Sequence, residues 1–385
     1  MQSLVENRVA EGRQIEYKAK LPSNDHEQIK EFLKDVSAMA NTIGGDILYG
    51  VKEGTDKTGN TVAQEIAGIA NADMDTERSR LENLLRDCLE PRLLGQQIEP
   101  ITLSNGNYVL LVRVPRSWNS PHVVKHQKHW RFYFRNSAGS HPMDVTELRH
   151  SVLSAASFRQ GLEEFRYDRL AKIASDKGLR PGCPKVVVHF LPLESTREDF
   201  DLPPALIREA CLNSTDLMPM QYDRTDSEVA INFDGLIAYV NDRSERTGSG
   251  QRQKLGYVQF FRDGRIEEVH SGFHSPLTRN EESNTVPIEI LEAQITNGVR
   301  RRLTVLERLG IRSPILMYLS LISVKHLVMG TGRGGMFLGE PIDRDDLLLR
   351  GVLIQSFQGI SNVEQFIAEL LRPLFSQIRN AAGWQ

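Results

Sequence analysis

The apolar positions of the first fifty residues change period twice. Tyr17 stands between Glu16 and Lys18 in a strand-like alternation; Ile29, Phe32, Leu33, Val36 and Ala40 recur at helical spacing; Ile47, Tyr49 and Val51 return to period two. Asn24, with Glu27 three residues later, reads as an N-cap, and Gly44 as the helix stop. A second helix is predicted near Asp75 to Leu89, with Leu81, Leu84, Leu85 and Leu89 inward and Pro91 closing it. A strand over Tyr108 to Val114 ends at Pro115. Strand, helix, strand, helix, strand, strand predicts a sheet-and-helix sandwich, α/β or α+β, over residues 1–150.

Beyond it, Phe158, Leu162, Phe165, Leu170 and Ile173 fall at near-helical intervals, so 151–184 reads as a helical connector closed by Pro181-Gly182-Cys183-Pro184. Residues 185–385 form a second domain, expected to be α/β and of unknown role. Its strand-like runs are Val186 to Leu193, Val229 to Val240, Leu255 to Phe261 and Ile315 to Val324; Pro204 to Leu212, Pro287 to Leu309 and Val363 to Arg379 read as helices. Asp242 to Lys254 reads as a mobile excursion bearing Arg243, Arg246, Arg252 and Lys254. Arg300, Arg301 and Arg302 read as the wet side of a helix, and the last helix as docked on a core or on a twin subunit.

The chain has 385 residues, 25% charged and 40% hydrophobic, ordinary for a globular protein with two substantial cores. Its apolar runs are too short to span a bilayer and the N-terminus lacks a signal-peptide pattern, so no membrane association and a cytoplasmic location are expected. Cys88, Cys183 and Cys211 are widely separated, offering neither a disulfide framework nor a zinc spacing. A net charge of −3 excludes a uniformly basic nucleic-acid coat and directs attention to local patches.

On a strand, Glu16 and Lys18 share a face, and Gly12 permits the turn that brings Glu11 toward them. Two carboxylates on a hard cation with a lysine beside them is an arrangement suited to metal-assisted phosphodiester hydrolysis. A surface salt bridge is the simpler alternative. Gly44-Gly45 follows a helix and precedes a strand, the reverse of a phosphate loop, and reads as a helix C-cap. Gly330 to Gly335 reads as a flexible loop.

Glu11, Glu16-Tyr17-Lys18, the helix, Ala40-Asn41-Thr42-Ile43-Gly44-Gly45 and Gly50-Val51 together resemble the Schlafen AlbA-like domain family, more weakly out to about residue 150. The resemblance implies a nucleic-acid-binding domain. In catalytic members three acidic residues hold a metal and cut tRNA or related RNA; other members are described as DNA-binding. It places the third acid just after Gly50-Val51, where Lys52-Glu53 stands. The expected catalytic set is therefore Glu11, Glu16, Lys18 and Glu53, with Glu11, Glu16 and Glu53 holding Mg²⁺ or Mn²⁺ and Lys18 stabilising an oxygen. RNA as partner, tRNA in particular, follows from the resemblance alone.

From Lys125 to Arg135, alternation assigns Trp130, Phe132 and Phe134 to the core and Arg131, Tyr133 and Arg135 to the outer face, with Lys125, Lys128 and His129 leading in. Lys125, Lys128, Arg131, Tyr133 and Arg135 are thus the expected nucleic-acid contacts. His122, His126, His129 and His141 keep a metal-free ribonuclease mechanism open. Pairing of two such domains in a homodimer would lengthen the groove. The competing class is a non-catalytic DNA-binding regulator or defence-system sensor.

Overall fold

A computed structural model of the chain describes residues 2–384 apart from 58, 71–72, 138, 181, 197–200, 221–226, 247–251, 272–284, 312–313, 332–336, 358–359 and 361. It divides into two compact units, Met1–Gly161 and Leu162–Gln385.

The first unit runs α1 (Gln2–Glu6), β1 (Ile15–Lys18), α2 (His26–Ala40), β2 (Gly45–Tyr49), β3 (Val51–Thr55), β4 (Thr61–Ile66) and α3 (Met74–Cys88). Then come β5 (Leu89–Glu90), β6 (Gln97–Thr102), β7 (Tyr108–Val114), β8 (Val123–His126), β9 (His129–Asn136), β10 (Gly139–Pro142) and α4 (Val145–Ser175). The division between the units falls inside α4. One sheet has the order β1-β2-β7-β6, with β1 parallel to β2; a second has the order β10-β9-β8-β5, and β3 pairs with β4.

Asp25, not Asn24, caps α2, its carboxylate accepting from the amides of Glu27 and Gln28. A carboxylate there also meets the positive end of the helix dipole. The apolar face of α2 (Ile29, Phe32, Leu33, Val36, Met39) joins one core with Ile47, Tyr49, Val112 and Val114 of the first sheet and Val124 and Tyr133 of the second. Each such side chain buried contributes about 1.5–3 kcal/mol.

Two glycines set the path that follows. Gly44 has φ +78°, and its amide closes the helix on the Met39 carbonyl at 2.9 Å. A Cβ there would lie 2.7 Å from the backbone of Val114 and Arg116, so only glycine fits. Gly50, at φ +93°, ends β2 and turns the chain over. Val51 therefore packs with Tyr17, Leu48, Ala63 and Val109 on the opposite sheet face, not in line with Ile47 and Tyr49 as unbroken alternation predicts.

The second unit contains β11 (Lys185–Pro192), α5 (Pro204–Ala210), β12 (Ser227–Asn232), β13 (Gly235–Arg246), β14 (Arg252–Phe261), β15 (Ile266–Ser271), β16 (Thr285–Pro287) and α6 (Ile288–Arg308). It continues through β17 (Ile315–Ile322), β18 (Val328–Thr331), β19 (Phe337–Leu338), β20 (Leu347–Leu348), β21 (Val352–Ile354) and α7 (Val363–Ala381). Its main sheet, β12-β13-β14-β15-β11-β17-β20, is antiparallel, with β21 also on β17. The molecule is thus mixed α and β throughout. On one sheet face, α6 and α7 complete the core through Ile295, Val299, Leu303, Ile367, Leu371 and Leu374. Leu170 and Ile173 of α4 pack on the other. The last helix therefore docks on its own unit's core.

Neighbouring glutamates of β15 are buried on opposite faces. Glu267 receives Arg169 at 2.6 and 2.8 Å, the Tyr257 hydroxyl at 2.7 Å and His189 Nε2 at 2.9 Å. Glu268 meets Arg302 Nε at 3.1 Å. Arg302 is fully buried and also donates to the Asp216 and Met218 carbonyls, while Arg301 donates to those of Thr215 and Met220. Arg301 and Arg302 are therefore no wet face: they tie the segment 214–220 to α6, because the orphan carbonyls of that segment need donors, whereas Arg300 stays partly exposed and pairs with Glu364.

Among the described residues, no helix is long and apolar enough to cross a membrane. Strands β13 and β14 extend into the Asp242 to Lys254 segment, while 247–251, the side chains of Arg243, Arg246 and Arg252, and Gly332 to Gly335 lie outside the described residues.

Candidate functional site

Alternation along β1 sends Tyr17 into the core with Leu48, Val51, Ala63 and Val109, and places Glu16 and Lys18 together on the α2 side. Lys18 Nζ lies 2.6 Å from Glu16 Oε1. The other carboxylate oxygen, Oε2, accepts from Arg135 Nη2 at 2.5 Å. Arg135, on β9, is 3% exposed and also donates to the Gly12 carbonyl at 2.8 and 3.0 Å and to Ser140 Oγ at 3.1 Å. A buried guanidinium is tolerated only when its donors are spent in this way. Ser140 passes the chain on to Asp35 Oδ1 at 3.0 Å, which lies 3.9 Å from Arg135 Nη1.

The electrostatics follow from these contacts. Burial pushes the Glu16 carboxyl up, but the hydrogen bonds from Lys18 and Arg135 outweigh it and hold it below the usual range. Burial likewise opposes the charge of Lys18, and Glu16 more than restores it. Asp35 has no such rescue: burial, then repulsion from Glu16, raise it from 3.8 to about 6. Glu11 is raised by burial, with Glu16 and Glu53 adding to the effect against the hydrogen bond from Tyr17.

Glu11 serves the backbone. β1 is an edge strand, and Glu11 Oε1 accepts the Tyr17 amide at 2.7 Å, covering an otherwise open edge. Glu53 stands exposed on β3, beside Lys52, which pairs with Glu65 at 2.8 Å. Among the described residues, no three His, Cys, Asp or Glu side chains meet as a metal site. The donor set as arranged does not fit a divalent cation: both Glu16 oxygens are engaged by cations and one Glu11 oxygen by an amide.

The basic strand keeps Arg131 exposed as expected but departs from its expected facing at Trp130, Tyr133 and Arg135. Tyr133 and Arg135 point into the unit, whereas Trp130 is 65% exposed and Phe132 and Phe134 are half-buried. The reason is α2: the core needs Tyr133 beside Val124, and Glu16 and Asp35 draw Arg135 inward. Tyr133 and Arg135 are therefore buried supports, not exposed grips. Lys128 and Arg131 are exposed, and Lys125 is paired with Glu90 and lies 4.3 Å over the Trp130 ring.

Asn41 explains much of the Asn-Thr-x-Gly-Gly stretch. Its amide nitrogen donates to the His122 and Tyr133 carbonyls at 3.1 and 3.0 Å, and its oxygen accepts the His122 amide at 2.6 Å. One side chain thus fastens the end of α2 to the second sheet. The histidines do not converge. His122 is buried with Nδ1 at 2.6 Å from the Pro91 carbonyl and is shifted down by burial; His126 lies against the His26 ring; His141 pairs with Glu147 at 2.9 Å. The His129 side chain lies outside the described residues.

Sequence reasoning missed Asp35, Asn41 and Trp130. Asp35 did leave a signal: it lies on the same helical face as Phe32, Val36 and Met39, a charge where core spacing calls for an apolar residue.

Residues 11–144 match the family model described as Schlafen, AlbA_2, which bears out the resemblance for the N-terminal part of the chain. No curated protein matches. Among solved structures, the N-terminal domain of an ATP-dependent DNA helicase RecG-related protein from Nitrosomonas europaea is 24% identical, with a TM-score of 0.28 over 37% of this chain and 92% of that one. The DIP2311 protein from Corynebacterium diphtheriae is 17% identical, with a TM-score of 0.25 over 55% of this chain and 36% of that one.

Proposed function

We propose that the first unit is a nucleic-acid-binding module that engages phosphates through the β8–β9 hairpin. The observation that carries this reading is the exposure of Lys128 and Arg131 at one end of a hairpin whose other end is locked into the unit by Arg135. The family match supports a nucleic-acid-related role, and the slightly acidic chain makes a local basic patch the relevant surface. RNA is the favoured ligand by family likeness. Replacing Lys128 and Arg131 by Ala should weaken binding of labelled RNA or DNA and lower the slope of log affinity against log salt by about 0.7–0.9 per lost phosphate contact. Unchanged affinity and slope would place binding elsewhere or nowhere.

A second reading, a metal-dependent endoribonuclease acting on tRNA or structured RNA, draws on the family likeness and on Glu11 and Glu16 both standing at β1, Glu11 on the Tyr17 amide. It requires Lys18 and Arg135 to release Glu16. Cleavage of total tRNA with Mn²⁺ or Mg²⁺ that chelator and Glu16→Gln both abolish would support it; no metal-dependent cut leaves a non-catalytic binding module.

A further inference from the structure

The outer face of β9 presents Trp130, Phe132 and Phe134, and of these the indole is the one open to solvent. A large aromatic this exposed gains nothing from burial where it stands, and β-strand position gives it no freedom to fold inward: its register partner is Lys125 and its strand neighbours are fixed by pairing with β8. Lys125 lies over the ring at 4.3 Å in a cation–π contact. The turn between the strands, with Gln127 at φ +56°, carries Lys128, and Arg131 follows Trp130 directly. Among the described residues neither Lys128 nor Arg131 has an ion-pair partner, and near them Glu90 pairs with Lys125.

We propose that Trp130 is a stacking platform for an unpaired base, with Lys128 and Arg131 on the adjoining phosphates, so that the ligand is a single-stranded segment and not a closed duplex. This rests on the nucleic-acid-binding reading above and narrows it. An exposed indole near cations is what single-strand recognition uses: every base has a face to stack, while the cations follow the backbone. A paired base keeps its faces inside the helix and offers the indole nothing. The alternative occupant, an apolar protein surface, gains nothing from the exposed charges of Lys128 and Arg131 at the same end of the hairpin. From Trp130 to Arg135 the strand spans about 17 Å, so a strand held at the tip can run along the hairpin toward the Glu16 end.

The test uses the full chain and a short labelled mixed-sequence oligonucleotide, as single strand and as blunt duplex, followed by fluorescence anisotropy. Trp130→Ala should weaken single-strand binding about ten-fold or more and leave duplex binding unchanged, while Trp130→Phe retains most of the affinity. Quenching of intrinsic tryptophan fluorescence by the single strand should be present in the parent chain and reduced in Trp130→Phe. An unchanged melting temperature in both variants excludes misfolding, since the side chain is exposed. If Trp130→Ala binds the single strand as tightly as the parent chain, stacking is overturned while the phosphate-binding reading stands. If the parent chain binds no nucleic acid, both are overturned.

Discussion

Arg135 and Glu16, 119 residues apart in the chain, meet at 2.5 Å beneath the first sheet. The pair joins β9 to β1, and with Lys18, Ser140 and Asp35 it forms one connected polar centre. Its members are interdependent: each charge is tolerable because another is present.

Removing Arg135 should therefore expose that dependence. Arg135→Ala leaves Glu16 with Lys18 alone and strips two donors from the Gly12 carbonyl. Breaking a buried pair costs about 3–5 kcal/mol, and urea unfolding of the variant against the parent chain should show a loss of this size.

Asp35 makes stability depend on pH. Its folded-state value of about 6 lies above the ordinary 3.8, so the native state holds this proton while the unfolded chain has lost it. Stability from this site is full below about pH 4, declines as pH rises, and is gone above about pH 6. Asp35→Asn removes the decline. The stability of the variant relative to the parent should rise by about 3 kcal/mol between pH 4 and pH 7, on the order of two pKa units, as read by denaturant unfolding at each pH.

Asn41→Ala should cost about 3 kcal/mol, because it leaves the buried His122 amide and two carbonyls without partners. Asn41→Asp should fare no better, since a carboxylate cannot donate to those carbonyls. Hydrogen exchange at the His122 amide, together with unfolding, distinguishes a local loosening from no effect.

In the second unit, Arg302→Met should destabilise by about 3–5 kcal/mol, because Glu268 loses its cation. Burial already holds Glu268 above the usual carboxylate range. Without Arg302 it is raised further, the native state binds its proton more tightly, and the deficit should shrink as pH falls. Unfolding midpoints measured across mildly acidic pH check the sign.

Local signals carried the first unit a long way. The helical period of Ile29, Phe32, Leu33 and Val36, the alternation around Tyr17 and the Gly44 stop each follow from the residues alone, since backbone geometry fixes which side chains share a face. The shared face of Glu16 and Lys18 was legible for the same reason. What touches that face was not: Arg135 arrives from a strand more than a hundred residues later.

Periodicity divides a strand into two faces without saying which is inside, and in β9 the aromatic trio looked like the core. Only the packing of α2, with Glu16 and Asp35 waiting for a cation, turned Arg135 inward and Trp130 out. β15 shows the same limit more sharply. Ile266-Glu267-Glu268-Val269-His270 carries too many charges to read as a buried strand, yet it is buried on both faces, because Arg169 and Arg302 come from separate helices to meet the two glutamates. The sequence by itself determined the periods, the turns and the shared faces, which are properties of neighbouring residues. The tertiary structure decided which face is inside and which charges are neutralised, because burial free energy and charge pairing depend on groups that the chain brings together only by folding.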